Sequence, residues 1–165
     1  MTSPDLFASM PAALATEIVD YAHETEKKLY RAALDTVAQA RKVRSVFLER
    51  QPRAERHAAV AESLTRPALT AAADSLLRNW LLKKHSALLI DFLDALAIKH
   101  DKGVVEDLPK TVDETALKAA INTLLARHPA PVVGIYLHAF NSMNGENWTA
   151  LDTVLHEDDR LELKK

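Results

Sequence analysis

Asp113-Glu-Thr-Ala-Leu-Lys-Ala-Ala-Ile-Asn-Thr-Leu-Leu-Ala-Arg127 is the stretch that decides the fold class. Leu117, Ala120, Ile121, Leu124 and Leu125 fall at i, i+3, i+4, i+7 and i+8, a single stripe down one side of a helix. Thr111, followed three residues later by Glu114, has the spacing of a capping box, and Asp113 competes for the cap position. His128-Pro129-Ala130-Pro131 ends the helix, because proline disfavours helical backbone before it and has no N–H to donate.

The same grammar extends in both directions. Helices are expected over about 11–22 with Ser9 as cap, 26–41, 52–63 with Pro52 in the first turn, and 65–84 capped by Thr65. Further helices are expected over 87–98 with Ser86 as cap, over 131–143, and in a last segment capped by Asn147. His23-Glu24-Thr25 leaves open whether the first two are separate or one long helix. A short extended tail is expected at 160–163.

Composition agrees. Alanine and leucine supply nearly a third of the 165 residues, whereas glycine occurs only at Gly103, Gly134 and Gly145. Hairpins, bulges and phosphate loops need more glycine than that. The expected fold is all-α: a single compact bundle of about eight mostly antiparallel helices, one domain spanning 1–165. Its longest polar connection, Lys99 to Lys110, is the place for an internal seam.

Several functions fall away at this level. With no cysteine there are no disulfides, thiolate nucleophiles or cysteine-ligated metals. Neither a Gly-x-Ser-x-Gly elbow nor a glycine-rich phosphate loop is present. Seven histidines are scattered at His23, His57, His85, His100, His128, His138 and His156, without any metal-ligand spacing. No cofactor is called for. The apolar run 75–98 is interrupted by Arg78, Lys83, Lys84, His85, Asp91 and Asp94, which argues for core and against a membrane span. The first residues lack the pattern of a signal peptide, and a cytoplasmic location is expected.

Two features point to binding. Between Arg41 and Arg56 lie six basic residues against two acidic ones, a local charge of +4 in a chain of −2. Arg41, Arg44, Arg50, Arg53 and Arg56 are the candidate partner-binding residues, since guanidinium forks onto carboxylate or phosphate. In the second feature, Gly134, His138 and Asn141 share a helix face beside the apolar Val132, Val133, Tyr136, Leu137 and Phe140. A helical glycine costs roughly 1 kcal/mol against alanine, which suggests a close approach to its backbone. His138, Asn141 and Asn144 are the candidate groove residues.

The wide apolar arc of Leu76, Leu77, Trp80, Leu81 and Leu82 is the sequence argument for a homodimer. The best reading is a non-enzymatic helical module that binds another protein through the arginines or an apolar groove. A nucleic-acid-associated protein using Arg41–Arg56 on the phosphate backbone is the alternative, and a metal-dependent enzyme with a His/carboxylate site the lesser one.

Overall fold

The computed structural model describes residues Met1 to Leu163. Among them the chain is all-α, with ten α-helices, one 3₁₀ turn, one π turn and no strand. Two compact units form, Thr2–Lys84 and the stretch from His85 onward. The polar connection 99–110 lies inside the second. No helix among the described residues is long and apolar enough to cross a membrane.

The first unit opens with a short helix that periodicity alone does not reveal, α1 (Ser3–Ser9). It rests on a capping box: Thr2 Oγ1 accepts from the Asp5 backbone, and Asp5 accepts from the Thr2 backbone at 2.8 Å. Ser9 therefore closes α1 and does not cap the next helix. Pro11 flanks α2 (Ala12–Thr25), and the chain breaks at Glu26 (φ −138°) before α3 (Lys27–Ala40), so the two expected helices are separate.

A one-turn helix, α4 (Ser45–Glu49), leads to α5 (Arg53–Ser63), with Pro52 just outside its first turn. Thr65, expected as a cap, instead donates its hydroxyl to the Glu62 carbonyl at 2.7 Å and finishes α5. A 3₁₀ turn at Pro67–Leu69 then starts α6 (Thr70–Asn79), which runs into a π turn at Trp80–Lys84. Helix α2 packs on α3 and α5, and α6 packs on α1, α2 and α3. Ile18, Val19, Leu34, Val37, Val60, Leu76 and Leu77 make the core between them. Of the apolar arc that suggested a dimer, Trp80 is 0% exposed and only Leu82, at 59%, faces solvent.

The second unit holds α7 (Ser86–Ala95), α8 (Glu114–Arg127), α9 (Ala130–Met143) and α10 (Thr149–Glu157). Ser86 lies inside α7, because the preceding π turn leaves only His85 as a link. Asp113, not Thr111, caps α8, its carboxylate accepting from the Ala116 backbone at 3.0 Å. Trp148 flanks α10 in place of Asn147, which takes a left-handed φ of +46° in the turn before it, a conformation asparagine tolerates. Residues 158–161 form a turn rather than an extended tail.

Helix α8 packs on α7, α9 and α10. Phe92, Phe140 and Trp148 meet ring against ring, with centroids 5.4–6.5 Å apart. The Trp148 indole donates to the Pro109 carbonyl at 2.7 Å and pins the polar connection to this cluster.

Candidate functional site

The five arginines singled out by charge divide into two groups. Arg41, at the end of α3, turns onto α5: Nε donates to Ser63 Oγ at 2.8 Å and Nη2 to the Ala59 carbonyl at 3.1 Å, with Glu62 at 3.5 Å. Arg53 pairs with Glu24 at 2.8 Å and with Asp20 at 3.6 Å. Arg56 donates to the Glu49 carbonyl at 3.1 Å and joins α5 to α4. These three fasten helices together. Arg44 and Arg50 flank α4, exposed and without an ion-pair partner among the described residues.

What the fold adds is a groove of about 510 Å³ where the C-terminal ends of α3 and α5 meet α4. Val43, Leu48 and Phe47 give it an apolar wall; Arg41, Lys42 and Arg66 give it a cationic rim. Phe47 is 57% exposed, an aromatic ring left in solvent beside these charges. Glu62 is the acid among the lining residues, and it faces Arg41. Lys42 and Arg66 have no ion-pair partner among the described residues.

Lys42 sits just past α3 with a left-handed φ of +57°, and Val43 N–H bonds back to the Ala38 carbonyl at 3.0 Å. Helix ends of this kind usually use glycine, so lysine costs about 1 kcal/mol of backbone strain here. The basic stretch read from the sequence takes in Arg41 and Lys42, though of the two only Arg41 stands among its candidate residues, and it leaves out Arg66. Only the meeting of two helix ends brings them together.

Beneath α5 lies a buried polar network. His57 is 0% exposed; its Nδ1 meets the Asp20 carboxylate and its Nε2 the Tyr30 hydroxyl at 3.0 Å. The His23 ring stands edge-on to Tyr30 and to His57, at 4.6 and 5.0 Å between centroids. Burial pushes His57 below the ordinary histidine value against the pull of Asp20. Burial lowers His23 too, helped by His57, and raises the Tyr30 hydroxyl.

Carboxylate, imidazole and hydroxyl in a row is the order of a nucleophile and its base. Here the hydroxyl belongs to buried Tyr30, packed among rings, so the row joins α2, α3 and α5 with its hydroxyl end inside the fold and its Asp20 end partly exposed. Asp20, His23 and Glu24 share a face of α2, a spacing visible in the sequence; that His57 meets Asp20 and His23 while Arg53 takes Glu24 was not.

Of the α9 candidates, Asn141 and Asn144 are occupied by the chain itself, whereas the buried Nε2 of His138 has no hydrogen-bond partner among the described residues. Asn141 binds both backbone groups of Trp148, at 2.8 and 3.1 Å, and donates to Asp152 at 2.6 Å. Asn144 Oδ1 accepts from the backbones of Glu146 and Asn147, and its amide donates to Phe140. His138 is mostly buried, held below the ordinary histidine value by burial with the Leu161 backbone opposing. The close approach implied by Gly134 is the Leu161 carbonyl, 3.1 Å from where a Cβ would stand.

Among the described residues no group of three or more histidines and acids is placed to hold a metal ion. No protein-family model matches the chain, no curated protein matches its sequence, and no solved structure matches its fold.

Proposed function

We propose that this chain is a helical protein-interaction module whose α3–α4–α5 groove receives an acidic segment carrying an apolar anchor. The observation that supports this most is the pairing of an exposed Phe47 with Lys42 and Arg66, which have no acid partner among the described residues, around one concave surface. Aromatic and arginine side chains supply most of the energy in such contacts. Cationic rims add encounter rate and selectivity for acidic partners.

Nucleic acid finds less here. Arg41, Arg53 and Arg56 engage neighbouring helices of the same chain, and the one exposed ring among the described groove residues offers little for stacking bases.

Fluorescence anisotropy with a labelled peptide that alternates acidic and apolar residues tests the proposal. Phe47→Ser and Arg66→Glu are each expected to weaken binding by about tenfold or more. Equal binding of a scrambled neutral peptide, or preferential binding of a labelled oligonucleotide, would overturn it.

A further inference from the structure

We infer that the occupant of the α3–α4–α5 groove is the 101–107 connection of a second copy of this chain, so that copies associate head to tail. The inference rests on the reading of that groove as an acceptor of acidic segments and names its partner.

The connection is built to present something. Asp101 and Val104 exchange two backbone hydrogen bonds of 2.9 Å, and between them Lys102 (φ +51°) and Gly103 (φ +88°) both take left-handed conformations. That is the tight two-residue turn of a β-hairpin, in a unit without strands among its described residues. His100 stiffens it from behind, accepting from Gly103 N–H at 3.0 Å while its other ring nitrogen meets Asp94 at 2.6 Å. A segment held this way loses little entropy on binding.

Closing the turn, next to its tip residues Lys102 and Gly103, stands Val104, 69% exposed, more than any other large apolar side chain described. Within 101–107, Asp101, Glu106 and Asp107 are exposed and without ion-pair partners among the described residues, against Lys102, while Lys99 and Lys110 flank the stretch. The groove has the inverse arrangement, an exposed Phe47 sharing its lining with Lys42 and Arg66, while Glu62, the acid among the lining residues, faces Arg41. Each surface therefore supplies what the other lacks: an apolar knob beside acids for an apolar wall beside bases.

The two surfaces differ, so the contact is heterologous. Every copy that donates its turn keeps a free groove, and association continues into chains or closes as a ring. Such a contact is small, below about 1,200 Å² in total, and belongs to the weak class.

Sedimentation velocity of the full chain, from about 10 µM to about 1 mM at low salt, reads it directly. The average mass is expected to climb with concentration and to return to monomer in about 1 M salt. Phe47→Ser/Arg66→Glu and Val104→Lys/Glu106→Lys are each expected to remain monomeric, with helical circular dichroism unchanged. An equimolar mixture of the two variants leaves one working groove and one working turn, and is expected to yield a capped one-to-one dimer.

A wild-type chain that stays monomeric throughout would overturn the inference. So would self-association that either variant leaves intact, or a mixture that stays monomeric. The acidic-peptide titration is read separately: peptide binding without self-association removes the second copy as occupant and leaves the groove reading standing.

Discussion

At the residue scale, His57 ties three helices with two ring nitrogens. Replacing it with alanine strips the Asp20 carboxylate and the Tyr30 hydroxyl of a partner and opens a cavity, at a cost of about 3 kcal/mol measured by urea unfolding. The network also sets a pH dependence. His23 and His57 are both held below the ordinary value of 6.5, chiefly by burial, with Arg53 and Arg56 opposing a proton and Asp20 favouring one. The folded state thus prefers neutral rings. Their contribution is whole above about pH 6.5 and is lost as pH falls from there toward the folded-state values. The urea midpoint is expected to drop between about pH 7.5 and pH 5.5, and His57→Gln to flatten that slope. An unchanged slope in the variant would assign the pH effect to other groups.

At the scale of the element, helix ends carry the discriminating detail. Asp113→Ala is expected to cost about 1 kcal/mol, whereas Thr111→Ala stays within about 0.5, because only Asp113 accepts from the α8 backbone. Lys42→Gly relieves a left-handed lysine and is expected to raise the melting temperature while weakening the acidic-peptide contact. A lower melting temperature in Lys42→Gly would mean that the lysine side chain stabilises this helix end by more than its left-handed backbone costs.

Gly134 belongs to the same scale. Valine there pushes against the Leu161 carbonyl and is expected to cost about 2 kcal/mol. Leu161→Ala frees the turn, so the double variant is expected to lose less than the sum of the two.

At the scale of the whole molecule, charge is spread unevenly. A chain of net −2 concentrates +4 between Arg41 and Arg56, and the fold then spends Arg41, Arg53 and Arg56 on its own helices. The cations left for a partner are Arg44, Arg50, Lys42 and Arg66. Raising salt from about 0.05 M to about 0.5 M is expected to weaken peptide binding by about tenfold or more, yet to shift the melting temperature by only a few degrees. The intramolecular pairs are mostly exposed and contribute little, so a large drop in melting temperature would contradict that division of labour.

What the sequence determined by itself is the helical class, the positions of the longer helices and the excess of arginine around Pro52. Those properties are local, written in 3.6-residue periodicity, proline placement and counts of glycine. Short elements such as α1 and α4 escaped because seven and five residues are too few to show a periodic stripe, and they rest on caps or neighbours. Only the tertiary structure decided which arginines are structural, that Gly134 makes room for Leu161, and that Lys42, Phe47 and Arg66 share a groove. Each of these depends on residues far apart in the chain meeting at helix ends, and no local pattern encodes which ends meet.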